Sequence, residues 1–211
     1  MPITIKTKKD IENMRIAGQK AAAVLNMLDQ YVVPGITTEE LDKIAFDYIT
    51  RDLKCIPANV GYNGYPKTLC TSLNSVICHG IPSETQTLKD GDILNIDVTV
   101  IENKWHGDTS KMYAVGKIQN FAKRLIDVTQ ECMYQGIKKV RPGEKLGTIG
   151  SAIQKHAENN HYSVVRDYCG HGIGKVYHEE PQVLHYGNPG EGLMLEEGMC
   201  FTIEPMINLG S

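Results

Sequence analysis

One ten-residue pattern occurs twice in this chain and restricts its architecture more than any other feature. "LKDGDILNID" at residues 88–97 aligns without gaps on "LEEGMCFTIE" at 195–204, pairing Leu88 with Leu195, Asp90 with Glu197, Gly91 with Gly198, Ile96 with Ile203 and Asp97 with Glu204. The offset is 107 residues. Upstream, Pro34-Gly35 and Leu41 fall on Pro142-Gly143 and Ile149 at an offset of 108, each pair opening a helical pattern. A Leu-x-acid-Gly turn before a strand explains one match, but not the carboxylate that both copies carry six residues after the glycine. Two matches at nearly one offset predict a duplicated fold, with halves of about 1–118 and 119–211 in a single domain over 1–211.

Hydrophobic periodicity fills in the halves. Residues 7–28 open with a Thr7/Asp10 capping pair and place Ile11, Met14, Ala21, Val24, Leu25 and Leu28 at three- and four-residue steps, which predicts an amphipathic helix. Thr37 and Glu40 repeat the device before Leu41, Ile44, Ala45 and Tyr48. The first clear strands come at "DILNIDVTVIENKWHGDTSKMYAV", two apolar runs about a polar turn. Helical pattern returns from Phe121 to about Val140 and from Lys145 to Asn159, and strand-like runs follow at 162–168 and 199–208. The order is helix, helix, strands, twice over.

Charge is nearly balanced, 22 Lys and Arg against 25 Asp and Glu, so no basic field argues for nucleic acid or an anionic membrane. No apolar run approaches the roughly 20 residues needed to cross a bilayer, and "MPITIKTKKD" carries no export signal. The six cysteines (55, 70, 78, 132, 169 and 200) form no C-x-x-C motif, which suits buried thiols in a reducing compartment and makes the cytoplasm the expected location.

Asp97 interrupts a strand read as apolar on both sides, where a charge is costly unless paired or bound to metal. If the hairpin turns about Glu102-Asn103, Asp97 faces Asp108; in a slipped register Asp108 instead caps a turn with Gly107 and Thr109. Like charges facing one another destabilise a hairpin, and a bound divalent cation reverses that sign. By the repeat, Glu204 takes in the second half the place of Asp97, so the acids should meet across a pseudo-twofold axis. "CGHGIGKVYHEEP" (169–181) adds His171, flanked by glycines, with His178 seven residues on, and "VICHGIP" adds His79. Nothing distinguishes His106, His156, His161 and His185 from surface histidines. An oxygen-rich site with one imidazole suits Mn, Fe(II) or Co more than structural Zn, and paired ions sharing carboxylates activate water for hydrolysis. The residues by themselves thus point to a metal hydrolase built from two related halves.

"GYPKTLCTSLNSVICHGIP", "DGDILNIDVTVIENKWHGDTSKM", "VVRDYCGHGIGKVYHEEPQVLHY" and "FTIEPM" resemble the type I methionine aminopeptidases of the pita-bread metallopeptidases, from residue 3 to the last. The resemblance implies an α+β pita-bread fold, an antiparallel sheet covered by helices, and hydrolytic removal of the initiator methionine from nascent chains with a small second residue. Carried over residue by residue, Asp97, Asp108, His171 and Glu204 are implied metal ligands for up to two divalent ions (Co, Mn, Fe(II) or Zn). Glu204 is also the implied proton shuttle. His178 and His79 are implied to bind the scissile carbonyl and the following peptide nitrogen. Tyr62, Tyr65, Cys70 and Tyr177 match positions lining the methionine pocket, and Asn74 and Val76 match a loop that holds a monovalent cation. A monomer in transient contact with the ribosome is implied as well.

One departure bears on activity. The family carries a fifth ligand, a bridging glutamate beyond the TIEP segment, and the repeat places a counterpart of Asp108 near position 215, past Ser211. The sequence therefore leaves a second expectation open: a truncated, weakly active or inactive fragment or binding module, less stable than a longer chain.

Overall fold

The computed structural model describes residues 3–210, so Met1, Pro2 and Ser211, the outer limits of the two halves, lie outside the described residues. Two compact units divide the chain: Glu12–Asn120, and Phe121 onward together with the N-terminal segment through Ile11.

In the first unit, helix α1 (Lys8–Leu28) buries Ala17, Ala21, Val24, Leu25 and Leu28, and helix α2 (Thr38–Asp47) buries Leu41 and Ala45. Both predicted capping devices form. Thr7 and Asp10 exchange backbone and side-chain bonds, and Thr37 with Glu40 makes a full capping box, each cap contributing about 1 kcal/mol. The sheet consists of β1 (Ile56–Pro57), β2 (Leu69–Leu73), β3 (Ile93–Glu102) and β4 (Trp105–Ala114), with β3 paired to the other three, all antiparallel. Strand β2 lies in a stretch for which the sequence reading placed no strand.

The alternation along β3 corrects the reading of Asp97 as set in a strand apolar on both sides. Leu94, Ile96, Val98 and Val100 enter a core with Val24, Leu28, Leu41, Ile49 and Leu69, while Asn95, Asp97 and Thr99 take the opposite face. On that face Asp97 is half-buried, outside the apolar cluster.

In the second unit, helices α3 (Asn120–Ile137) and α4 (Leu146–Asn159) bury Val128, Cys132, Ile149, Ile153 and Ala157 against Tyr162, Leu195 and Ile207. Its strands are short: β5 (Tyr162–Val164) pairs with β8 (Ile207–Leu209), and β6 (Gly170–Gly172) with β7 (Glu179–Val183). The strands expected over 162–168 and 199–208 thus shrink to three residues each. Pro205 has no N–H to give a ladder, and among the described residues the one bridge upstream of it in this segment joins Phe201 to Gly172.

The repeat is visible in the backbone bonds each unit makes. Gly35 N–H donates to Leu88 O at 2.9 Å, and Gly143 N–H to Leu195 O at 2.8 Å. Leu88 N–H returns to Ile36 O, and Leu195 N–H to Glu144 O. Thr37 bridges Thr87 in one unit and Lys145 bridges Met194 in the other. Gly91 and Gly198 both turn the chain with positive φ, 95° and 92°, a conformation that only glycine adopts without strain.

Candidate metal centre

Asp97 and Asp108 belong to the β3–β4 hairpin. The turn is Asn103-Lys104, both with positive φ (49° and 72°), the two-residue geometry that matches strand twist. Register pairs therefore sum to 207: Asp97 stands opposite Ser110, and Asp108 opposite Thr99. The turn expected at Glu102-Asn103, with Asp97 directly facing Asp108, is corrected by one residue, which shifts the register by two. A shift of two preserves side-chain face. The two aspartates stay on one face as diagonal neighbours, a spacing that lessens like-charge repulsion relative to a directly opposed pair.

On the other flank of β3, Cys70 lies opposite Asp97. Burial first, then the charge of Asp97, pushes its thiol up to about 12, with Asp108 adding to the effect, so Cys70 is a neutral thiol beside both carboxylates. Tyr65 directs its hydroxyl at the carbonyls of Leu69 (2.9 Å) and Gly80 (3.0 Å), and burial raises its pKa. Its hydroxyl is committed to backbone. Tyr62 opens a short 3₁₀ turn and is partly exposed.

His79 is exposed and held at φ 54°, a left-handed conformation that costs a non-glycine residue about 1–3 kcal/mol and recurs at functional sites. The next residue fixes it. Thr71 N–H donates to Gly80 O at 2.7 Å, and a Cβ on Gly80 would come within 2.2 Å of Thr71 O, so only glycine lets this loop lie against β2. Asn74, also left-handed, bonds Asp92 and the Ile93 amide, and Val76 N–H donates to Leu73 O.

In the second unit, His171 lies between two glycines for a steric reason. A Cβ on Gly170 would meet Thr202 O at 2.4 Å, and one on Gly172 would meet Glu180 O at 2.1 Å. His171 Nδ1 is 2.9 Å from Gly172 O. A carbonyl only accepts, so Nδ1 carries a proton, and the other ring nitrogen, Nε2, lies 3.7 Å from Glu204 Oε1. Thr202 links the same two residues: its hydroxyl accepts from the His171 N–H at 2.9 Å and donates to Glu204 Oε1 at 2.5 Å. His178 packs its ring 4.1 Å from that of His171 and stacks on Tyr177 at 4.3 Å.

A buried ion pair supports this loop. Lys6 Nζ and Glu179 Oε2 are 2.6 Å apart with side chains 2% and 7% exposed, and the missing side chain of Gly174 leaves the space they occupy. Glu179 also accepts from the Val176 N–H at 3.3 Å, which closes the turn that carries His178.

Two histidines grouped with the surface ones are buried, His106 at 9% and His185 at 0% exposure. Burial lowers the pKa of His185 to about 4, so its ring is neutral, and its Nε2 accepts the Glu204 N–H at 3.1 Å. Thr202, His185 and the Lys6–Glu179 pair escaped the sequence reading. Only Thr202 had a usable signal, lying two residues before Glu204 on the same side of an extended chain.

Within either unit taken by itself, among the described residues, no group of three or more His, Cys, Asp and Glu side chains could hold a metal ion; each unit carries two of the four expected ligands. Each unit by itself offers donors of a kind that suits divalent metal: two carboxylates on one face of a hairpin in the first, and in the second a carboxylate near an imidazole whose Nδ1 is turned to a backbone carbonyl.

Residues 12–210 match the model of metallopeptidase family M24. The methionine aminopeptidase of Salmonella typhimurium is 59% identical over 210 residues, covering all of this chain and 80% of the relative. The crystal structure of methionine aminopeptidase from Rickettsia prowazekii superposes with a TM-score of 0.97 at 54% identity, covering 100% of this chain and 84% of that one. A prolidase from Pyrococcus furiosus, 22% identical with a TM-score of 0.81, shares the fold over 98% of this chain and 58% of its own. The pita-bread α+β architecture is thus common to all three, and the chain belongs to metallopeptidase family M24.

Proposed function

We propose that this protein is a methionyl aminopeptidase, a metal-dependent exopeptidase that removes the N-terminal methionine from nascent chains with a small second residue. The single observation that carries the reading is the His171–Glu204 arrangement, an imidazole with Nδ1 turned to a backbone carbonyl and Nε2 3.7 Å from a carboxylate, with His178 packed beside it. Asp97 and Asp108 supply the carboxylates of the first half, on one face of the hairpin. These four would hold divalent metal, which when bound would supply Lewis acidity and activate a water.

The chain's own groups do the rest. Glu204 moves the proton of the attacking water toward the leaving amine. His178 donates to the scissile carbonyl as negative charge develops, and His79 contacts the next peptide nitrogen. Tyr62, Tyr65, Cys70 and Tyr177 form the methionine pocket, where a neutral thiol and aromatic rings suit a thioether. Monovalent-cation binding at Asn74 and Val76, a single catalytic domain acting as a monomer, cytoplasmic location and brief ribosome contact complete the proposal.

The alternative of an inactive fragment or binding module is not favoured, since all four ligand positions carry ligating side chains and relatives of 59% and 55% identity are named as enzymes. Incubation with a Met-Ala-Ser peptide and Mn(II) or Co(II) tests the proposal. Release of free methionine that a chelator abolishes is the expected outcome; no release with either metal rejects it.

A further inference from the structure

We propose that His185 is a positioning residue for Glu204, standing in for a neighbouring strand where the backbone ladder is interrupted. The segment carrying Glu204 finds its backbone partners one at a time. Ile173 N–H reaches Cys200 O at 3.1 Å, Thr202 N–H reaches His171 O at 2.8 Å, and Val165 N–H reaches Met206 O at 3.0 Å. Pro205 offers no donor, and Glu204 N–H goes to the His185 Nε2 lone pair at 3.1 Å instead of to a carbonyl.

Stability does not account for an imidazole at this place. A ring that accepts at Nε2 carries its proton on Nδ1, and Nδ1 is buried with no hydrogen-bond partner among the described residues, in a side chain of 0% exposure. An unpaired buried donor costs more than one neutral hydrogen bond returns. What the ring achieves is local: it fixes the Glu204 backbone from one side while the Thr202 hydroxyl fixes the carboxylate from the other. His185 itself is anchored by the loop after β7, where the carbonyls of Leu184 and Tyr186 pack against Gly150 of α4, so closely that a Cβ there would meet Tyr186 O at 2.4 Å.

The inference rests on the reading of Glu204 as metal ligand and proton carrier, so the test includes Glu204→Gln. His185→Leu removes the acceptor, while His185→Gln keeps an acceptor oxygen near the position of Nε2. Each is assayed for kcat and KM on Met-Ala-Ser with Mn(II), and titrated calorimetrically with MnCl2 alone. The expected result is a loss of about 10- to 100-fold in kcat or Mn(II) affinity for His185→Leu, with KM little changed and most of the loss restored in His185→Gln. Wild-type kcat and affinity in His185→Leu, or equal loss in both variants, overturns the proposal. An unaffected Glu204→Gln overturns the site reading instead. Should His185→Leu fail to fold, His185→Asn, too short to reach the amide, replaces it with the same two outcomes.

Discussion

Asp97 and Glu204 occupy the same place in the ten-residue repeat but are held by different means. Asp97 lies in a ten-residue strand with a neighbour on each side, so its position follows from a ladder in which β2, β3 and β4 all take part. Glu204 has irregular backbone about it, and its place is set by two side chains, Thr202 and His185. The turns leading into the two acids are alike down to the Gly35–Leu88 and Gly143–Leu195 bonds. Duplication kept the turn, whose geometry is local, while the strand beyond it depends on what each half packs beside it.

The largest test of this comparison is catalytic. Asp97→Asn and Glu204→Gln should each lower kcat/KM by about 10²- to 10⁴-fold on a Met-Ala-Ser peptide if both halves supply the chemistry. A loss confined to one of them would break the equivalence.

Ion pairs separate the halves next. Lys6→Met leaves the Glu179 carboxylate buried at 7% exposure without its cation, and should lower unfolding free energy by about 3–5 kcal/mol in urea titration. Lys20→Met breaks a pair in the first unit whose side chains are 27% and 17% exposed, and should cost at most about 1 kcal/mol. Equal losses would remove the distinction.

The paired glycines sharpen it further. Gly91→Ala meets nothing nearer than Lys117 O at 3.8 Å and should cost only the left-handed backbone strain, about 1–2 kcal/mol. Gly198→Ala adds a contact of 2.7 Å with Lys6 O and should cost measurably more in the same titration.

The smallest effect is a pH dependence. The hydrogen bond from Lys20 holds the Glu102 carboxyl below its ordinary value. A depressed folded-state pKa contributes stability above the unfolded value of about 4.3 and loses it as pH falls through the folded value. The thermal-midpoint difference between wild type and Glu102→Gln should therefore be present at pH 7 and vanish in acid; a difference that persists would sever the link to this pair.

The repeat, both helix caps and the glycines about His171 were legible in the sequence because each rests on neighbours within a few residues or on identity at a fixed offset. The Asp97–Asp108 register was not. It depends on which two residues of Glu102-Asn103-Lys104 adopt positive φ, and composition does not separate a turn at 102–103 from one at 103–104. Strand β2 hid in an uneven run, and its pairing of Cys70 with Asp97 joins residues 27 positions apart. His185 was out of reach for the same reason: its burial and its bond to Glu204 exist only once β7, α4 and the last segment pack together. The sequence by itself determined the repeated segment, the helix caps and the glycines that let the chain turn or pack closely. The tertiary structure decided the register, the break in the final strand and the histidine that bridges it, because these depend on partners far along the chain.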